Sequence, residues 1–310
     1  MNIQKPKFWE QKNLISFFLY PFSVITQLIN FIKKLQSKKK FKIKTICIGN
    51  IFLGGTGKTT LSIEINQILN KKFKTVFIKK NYLDQRDEIN LLKNEGKIIL
   101  TKNRLKSLKI AEKKKFQVAL LDDGLQQKNI DYSLKILCFN SYDGTGNNLL
   151  LPAGPLRESI KEIKNYDLVF INGRSKNNKL SRKIKQINKN VKIFYADYFP
   201  TNLKKLNRNK NYVIFCGIGN PHEFENTLSN HKFKIKKKIF FPDHHKFLDE
   251  EINKIKDFAK KEKLKIITTE KDYFRLSKKQ KKGIKILKEK LNIKNLNEFK
   301  KILFNINEKI

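Results

Sequence analysis

The stretch from Gly49 to Thr60, GNIFLGGTGKTT, follows an apolar run and opens an amphipathic pattern at Thr59. A glycine-rich turn between a buried strand and a helix N-terminus presents backbone N–H groups to an anion, as phosphate-binding loops do. The usual pattern G-x-x-x-x-G-K-[ST] has a glycine five residues before its second glycine. Phe52 occupies that position relative to Gly57. The stretch therefore ends like a phosphate loop but begins differently.

The end of this loop contains the residue types that nucleotide binding requires. Glycines let successive N–H groups turn toward phosphate oxygens. A lysine at this position reaches the β- and γ-phosphates, and the hydroxyl that follows holds Mg²⁺. A merely structural turn has no need of Lys58 followed by Thr59. The predicted nucleotide-binding residues are Gly54, Gly55, Thr56, Gly57, Lys58, Thr59 and Thr60, of which Lys58 is also a catalytic candidate.

A pair of acids follows another apolar run, VALLDDGLQQ. Phosphate-loop enzymes place a metal-holding acid at the end of a strand, and Asp122 and Asp123 stand there. Read alone, DDG is a common turn sequence. Together with the loop it predicts a metal site made of Thr59, Asp122 and Asp123, with Gln126 as a further candidate contact to nucleotide or Mg²⁺.

Strand-like and helix-like patterns alternate from Phe41 onward. Strands that are apolar on both faces indicate a parallel sheet covered by helices. We therefore predict an α/β fold with a P-loop NTPase-like, mostly parallel sheet and flanking helices, followed by a second, smaller α/β domain. The predicted parts are an N-terminal apolar segment (1–40), a P-loop domain (41–203) and the smaller domain (204–310), with the boundary in a polar stretch near 198–209.

The net charge of +40 suggests an anionic partner, but its distribution argues against nucleic acid. Of 68 basic residues seven are Arg, which leaves 68 − 7 = 61 Lys spread along the whole chain. A nucleic-acid-binding protein more often clusters Arg and aromatic residues on one element, so we predict no specific nucleic-acid partner. The cysteines Cys47, Cys138 and Cys216 lie in apolar runs without C-x-x-C spacing and are predicted to be buried free thiols.

Nineteen residues from Leu14 to Ile32 carry no charge. As a helix they would measure about 28 Å, close to the ~30 Å core of a bilayer. A lysine cluster follows directly, which favours a cytoplasmic protein body. We predict membrane association, while a spanning helix, an interfacial helix and an element packed on the domain remain alternatives. Pro21 and several polar residues interrupt the run: Ser16, Ser23, Thr26, Gln27 and Asn30.

Taken together, several separated motifs resemble those of the tetraacyldisaccharide 4′-kinases, membrane-associated enzymes that phosphorylate the lipid A precursor. The family pattern G-N-x-x-x-G-G-x-G-K-T has its early glycine at Gly49, which accounts for Phe52. Besides GNIFLGGTGKTT, the matching stretches are RDEINLL (86–92), LDDGLQQ (121–127), GNNLLLPAGPLRE (146–158), GIGNP (217–221), FPDHHKF (241–247) and TTEKD (268–272).

The resemblance implies transfer of the γ-phosphoryl group of ATP to the 4′-hydroxyl of a tetraacylated glucosamine disaccharide 1-phosphate. It also implies Mg²⁺, a smaller domain that closes over the active site, and an N-terminal helix docked on the cytoplasmic face of the bacterial inner membrane. The partners expected from it are the acylated disaccharide lipid and the membrane surface.

The resemblance further implies that Asp87 is the catalytic acid residue that orients and deprotonates the hydroxyl, supported by His244. Whether Asp87 acts alone or shares this role with His244 is left open. Without the family, RDE is a solvated charge run and DHH a loop or metal-ligand motif. Candidate substrate or phosphate contacts are Glu88, Arg104, Arg157 and Glu158, with a structural ion pair as the alternative for the last two.

The chain departs from the family pattern at Leu125 and Gln127, where the family usually has Phe and His, and at KKNYLD (79–84), where it has R-G-Y. Thr60 replaces a frequent proline. The main rival interpretation is a membrane-associated, deviant-Walker-type switch ATPase. That class has a lysine where this chain has Leu53. A drifted, inactive kinase is a further alternative.

Overall fold

The computed structural model describes residues 6–82, 85–173 and 177–308. They form two compact units, a larger one (up to 81, 92–197 and from 293) and a smaller one (82–91 and 198–292). The chain crosses from one unit to the other within two strands and within one helix. Each unit is therefore made of separate stretches of the sequence. The C-terminal segment belongs to the larger unit because Phe299 packs against Phe170 and Phe194. The predicted boundary between two independent domains at residues 203 and 204 stays a prediction.

The regular elements follow the predicted alternation closely. The strands are β1 (Lys44–Gly49), β2 (Thr75–Lys80), β3 (Ile98–Thr101), β4 (Val118–Asp122), β5 (Leu134–Asn140), β6 (Leu168–Asn172), β7 (Lys192–Pro200), β8 (Asn211–Cys216), β9 (Lys234–Phe240), β10 (Lys265–Thr269), β11 (Ile284–Leu287) and β12 (Glu289–Ile293). The α-helices are α1 (Leu14–Lys34), α2 (Lys58–Leu69), α3 (Arg86–Glu95), α4 (Arg104–Lys113), α5 (Asn178–Ile187), α6 (Pro221–Asn230), α7 (Asp249–Lys261), α8 (Glu270–Arg275), α9 (Lys278–Lys281) and α10 (Leu296–Phe304).

The larger sheet has the strand order β12-β7-β6-β5-β1-β4-β2-β3. The pairings from β3 to β7 are parallel, and β1 lies between β4 and β5. Parallel strands carry their loops at a common edge, so the loops after β1 and β4 are neighbours. The predicted P-loop NTPase-like α/β fold is therefore confirmed. Cys47 and Cys138 are buried free thiols in this core, as predicted.

The smaller unit contains a parallel four-stranded sheet with the order β11-β10-β8-β9. Apolar side chains cover both faces of β8, where Val213, Ile214 and Phe215 are fully buried. Cys216 at its end is also a buried free thiol. The GIGNP and FPDHHKF motifs follow β8 and β9, and the TTEKD motif spans the end of β10 and the start of α8.

The N-terminal helix α1 buries polar residues and exposes apolar ones, the reverse of the pattern usual for a helix of a soluble protein. Ser16 and Ser23 are its buried residues, whereas Phe17, Phe18 and Phe31 are exposed. Asn13 caps its first turn through the backbone N–H of Ser16. By length and composition this helix could cross a membrane. Its apolar surface faces outward, and Ser23, Thr26 and Asn30 face the protein.

Phe52 is a core residue, 1% exposed, and forms an isolated antiparallel β-bridge with Leu156.

The early glycine, Gly49, is required by packing, since a Cβ at this position would lie 2.6 Å from Leu125 Cγ. We expect Gly49→Ala to reduce the free energy of unfolding by about 1–3 kcal/mol, because overpacking forces neighbours to move. Urea unfolding of wild type and Gly49→Ala measures this difference in the free energy of unfolding. Leu125→Ala in the same chain should recover part of the Gly49→Ala loss, and an unchanged Gly49→Ala midpoint would contradict this explanation.

Candidate active site

The phosphate loop joins β1 to α2 in the larger unit. Gly54 and Gly57 have φ values of 148° and 77°, in the region that favours glycine. α2 begins at Lys58, so its unpaired N–H groups and the positive end of its dipole lie at this loop. Two asparagines that the sequence interpretation missed hold the loop, since Asn140 Nδ2 donates to Gly55 O (3.4 Å) and Asn172 Nδ2 to Thr56 O (2.5 Å).

Asp122, at the end of β4, is 0% exposed and surrounded by donors. Thr59 Oγ1 lies 3.2 Å from Asp122 Oδ2, and Ser62 Oγ lies 3.4 Å from Oδ1. Lys79 Nζ, at the end of β2, is 2.5 Å from Oδ2 and was not predicted from the sequence. Among the described residues no group of three or more His, Cys, Asp or Glu could hold a metal. The Thr59 hydroxyl and Asp122 carboxylate nevertheless fit Mg²⁺ in a phosphate-loop site, where nucleotide oxygens supply further ligands.

Asp123 carries the second negative charge beside the loop. It adopts a left-handed backbone conformation, φ 56°, which directs the chain out of β4. Arg157 NH1 lies 3.3 Å from both carboxylate oxygens, and Lys58 Nζ lies 4.0 Å from Oδ1. Burial alone would raise the pKa of Asp123, but the charges of Lys58, Arg157 and Lys79 lower it further than burial raises it. Asp123 is therefore an ionised carboxylate that holds Arg157 near Lys58.

Three other predicted residues bond to the protein's own atoms. Arg104 is buried and donates to the carbonyl oxygens of Asp122 (3.3 Å) and Asp123 (2.7 Å). Glu158 Oε2 accepts from Lys128 Nζ and the Tyr166 hydroxyl. Gln126 Nε2 donates to Asn50 O at 2.8 Å. In the structure these side chains fix the loops that surround the phosphate loop.

A second cluster lies in the smaller unit, around Asp87 in the first turn of α3. Asp87 is 3% exposed, and Arg275 donates to its Oδ2 through Nε (3.1 Å) and NH2 (2.6 Å). Lys271 Nζ lies 3.7 Å from the same oxygen. His244 Nδ1 lies 3.5 Å from Oδ1. The structure thus brings Asp87 and His244 together, as the sequence motifs implied.

The charge environment keeps Asp87 ionised. Burial would raise its pKa, but the hydrogen bond with His244 and the charges of Lys271, Arg275 and His244 hold that pKa well below its usual range. A carboxylate with a depressed pKa is a weak proton acceptor. It is well suited to orient a neighbouring imidazole and to stabilise the imidazolium that forms when the ring takes a proton.

His244 is held in place by its backbone. Its φ is 59°, and its N–H donates to Asp243 Oδ1 (3.0 Å) and Gly217 O (3.2 Å). Its Nε2 lies 3.8 Å from both Glu88 Oε1 and Asp243 Oδ2. His245 points elsewhere and pairs with Glu251 at 2.9 Å. The imidazole therefore has one nitrogen toward Asp87 and the other beside two further carboxylates.

The sequence interpretation assigned no role to Arg275 and Lys271, the two cations beside Asp87. Arg275 is itself held by Asp272 Oδ1 (2.8 Å) and Gly217 O (2.5 Å). Lys271 Nζ also pairs with Glu88 Oε1 at 3.1 Å. The signal available was the position of Lys271 in the TTEKD motif and the i,i+4 spacing to Arg275, which places both on one face of α8.

Comparisons with known proteins find one family that matches almost the whole chain. Residues 15–307 match the family model described as tetraacyldisaccharide-1-P 4′-kinase. A tetraacyldisaccharide 4′-kinase of Pelagibacter ubique (strain HTCC1062) is 43% identical over 100% of both chains. One of Rickettsia canadensis (strain McKiel) is 32% identical over 86% of this chain and 87% of its own length.

The fold also has a counterpart among solved structures. The crystal structure of LpxK from Aquifex aeolicus in complex with ATP superposes with a TM-score of 0.70. The two chains are 23% identical, and the match covers 94% of this chain and 99% of that one. This likeness supports the same overall architecture for both chains.

Proposed function

The chain belongs to the tetraacyldisaccharide 4′-kinase family, and we propose on that basis that it transfers the γ-phosphoryl group of ATP to the 4′-hydroxyl of a tetraacylated disaccharide 1-phosphate, the lipid A precursor. The observation that carries the proposal is the presence of two clusters in one chain. One is a phosphate loop with Lys58 and Asp122, and the other is an ionised Asp87 beside His244. Transfer of labelled phosphate from ATP to the lipid in mixed micelles tests it.

In the proposed reaction the phosphate loop binds the ATP phosphates through its N–H groups and Lys58. Thr59 and Asp122 would hold Mg²⁺, which neutralises phosphate charge when bound. Arg157, kept beside Asp123, places a second positive charge near Lys58. Positive groups that are already in position stabilise the charge that spreads over the transferring group without a reorganisation cost.

The acceptor hydroxyl must lose its proton as its oxygen bonds to the γ-phosphorus. We assign that proton to His244 Nε2, because Nδ1 lies at Asp87 Oδ1. The oxygen attacks the γ-phosphorus, the proton moves to Nε2, and the bond to the β–γ bridging oxygen breaks to release ADP. The 3.5 Å separation of Asp87 Oδ1 and His244 Nδ1 is long for a hydrogen bond, and catalytic hydrogen bonds of this kind tighten in the substrate complex.

Arg275 should act on the rate through Asp87. We expect Arg275→Lys to lower kcat about 10- to 100-fold, because lysine keeps the charge but loses the fork that holds Asp87 Oδ2. The KM for ATP should stay within about threefold, since the described partners of Arg275 are Asp87, Asp272, Gly217 and His244. Steady-state kinetics with ATP and the acceptor lipid separates the effect on kcat from the effect on the KM for ATP. Lys278→Gln, an exposed change on α9, is the control, and wild-type kcat in Arg275→Lys would contradict the role.

We also assign the protein to the cytoplasmic face of the bacterial inner membrane. The exposed apolar surface of α1 and the two lysines of its last turn, Lys33 and Lys34, suit an anionic lipid interface. One side of α1 is hydrogen-bonded to the protein, so lipid cannot surround the helix, and we favour an interfacial position over a span. Co-sedimentation with phosphatidylglycerol vesicles should retain the protein, and recovery in the supernatant would contradict the assignment.

A further inference from the structure

The polar face of α1 bonds to one loop of the larger unit. Ser23 Oγ donates to Leu150 O and Thr26 Oγ1 to Leu151 O, each at 2.8 Å. Asn30 Nδ2 donates to Arg157 O at 2.7 Å. These side chains lie on one face, because residues 3, 4 and 7 positions apart align along a helix. Three polar residues of an otherwise apolar helix therefore hold residues 150–157.

The same loop is attached to the start of the phosphate loop. Arg157 N donates to Ile51 O at 2.7 Å, and Leu53 N donates to Pro155 O at 2.8 Å. The guanidinium of Arg157 contacts the Asp123 carboxylate. Oδ1 of that carboxylate lies 4.0 Å from Lys58 Nζ. Arg157 is thus held by α1 at its carbonyl, by the phosphate loop at its N–H, and by the acid at its side chain.

We propose that Asn30 is a positioning residue for phosphoryl transfer, which acts by fixing the backbone of Arg157 so that its guanidinium stays beside Asp123 and Lys58. The inference rests on the proposed kinase function and extends it to a residue on the N-terminal helix. A displacement of about 1 Å in a charged group at a reacting centre can cost up to 100-fold in rate. One hydrogen bond from a rigid helix limits such a displacement.

The two faces of α1 allow this role to be separated from membrane attachment. Asn30→Leu removes the donor to Arg157 O and adds apolar surface, so lipid binding should not fall. Gln27→Leu is the matched control, since it makes the same chemical change on an exposed position, where no hydrogen bond of its side chain is found within the described part of the chain. Vesicle co-sedimentation should be at least as strong as wild type for both.

The experiment measures kcat and the KM for ATP with the acceptor lipid in detergent mixed micelles, where attachment to a bilayer is not required. Asn30→Leu should lower kcat at least tenfold, and Gln27→Leu should remain within about twofold of wild type. Thermal unfolding of each variant verifies folding. If Asn30→Leu does not fold, Asn30→Ala replaces it, because the smaller side chain lets water reach the Arg157 carbonyl.

A double-mutant cycle with Arg157→Ala distinguishes positioning from general destabilisation. If Asn30 acts through Arg157, the double variant should have a kcat within about threefold of Arg157→Ala alone. Multiplicative losses, or a wild-type kcat in Asn30→Leu, would overturn the proposal. A wild-type protein without phosphate transfer would instead remove the kinase function on which the proposal rests, so the two failures are distinguishable.

Discussion

Replacement of Asp87 by asparagine is expected to lower kcat for phosphate transfer by about 10²- to 10⁴-fold, the range that general acid–base groups contribute. Asparagine keeps the shape of the side chain but cannot stabilise the imidazolium that forms when His244 takes the hydroxyl proton. It also removes one of the two carboxylates that pair with the nearly buried Arg275, the other being Asp272. Steady-state kinetics at saturating ATP and lipid measures the loss. The KM for ATP should change little.

The matched control for this variant is Asp257→Asn, the same change at an exposed position of α7. It should leave kcat at the wild-type value. Circular dichroism and thermal unfolding establish whether Asp87→Asn is folded at the assay temperature. A folded Asp87→Asn variant with kcat within threefold of wild type would remove Asp87 from the chemistry.

The depressed pKa of Asp87 also predicts a pH dependence of stability. Its folded-state pKa lies below the unfolded value of about 3.9, so ionised Asp87 stabilises the fold. That contribution is fully present above about pH 5 and is lost as the pH falls through the unfolded pKa toward the lower folded one. In urea unfolding, the advantage of wild type over Asp87→Asn should be present at pH 5 and should shrink below about pH 4.

Lys58→Ala should lower kcat by at least 10²- to 10³-fold, the loss expected when one preorganised group that stabilises transition-state charge is removed. Lys58 begins α2 and is the lysine that reaches the β- and γ-phosphates in a phosphate loop. The KM for ATP should rise as well, because the same contact is made in the ground state. The control is Lys71→Ala, an exposed lysine just after the same helix. Activity of Lys58→Ala within tenfold of wild type would show that the loop does not bind the transferred phosphate.

The alternation of strands and helices along the chain and the location of the phosphate loop could be predicted because both depend on local patterns. Residues 134–140, for example, are an apolar run and form the buried strand β5. α3 was not predicted, because RDEINLL has a charged first turn and only a short apolar side. Its role becomes visible only when residues far apart in the chain, such as Asp87 and Arg275, are brought to one place.

The roles of single polar residues could be predicted less well than the motifs that contain them. Lys79 lies at the end of an apolar strand, and nothing in the sequence indicates that it pairs with Asp122. Arg104 was predicted from a family position, and the structure shows it bonded to backbone carbonyls. The polar residues of α1 only dilute its hydrophobicity in the sequence, although the spacing of Ser23, Thr26 and Asn30 places these three on one face. Tertiary contacts, which composition does not encode, decide each of these cases.

The most direct test of the central claim is transfer of the γ-phosphate of labelled ATP, with Mg²⁺, to the tetraacylated disaccharide 1-phosphate in mixed micelles. We expect labelled lipid from the wild-type protein, with one ADP formed for each phosphate transferred, and almost none from Lys58→Ala or Asp87→Asn. ATP hydrolysis without labelled lipid would contradict the kinase account and favour a nucleotide-driven switch ATPase.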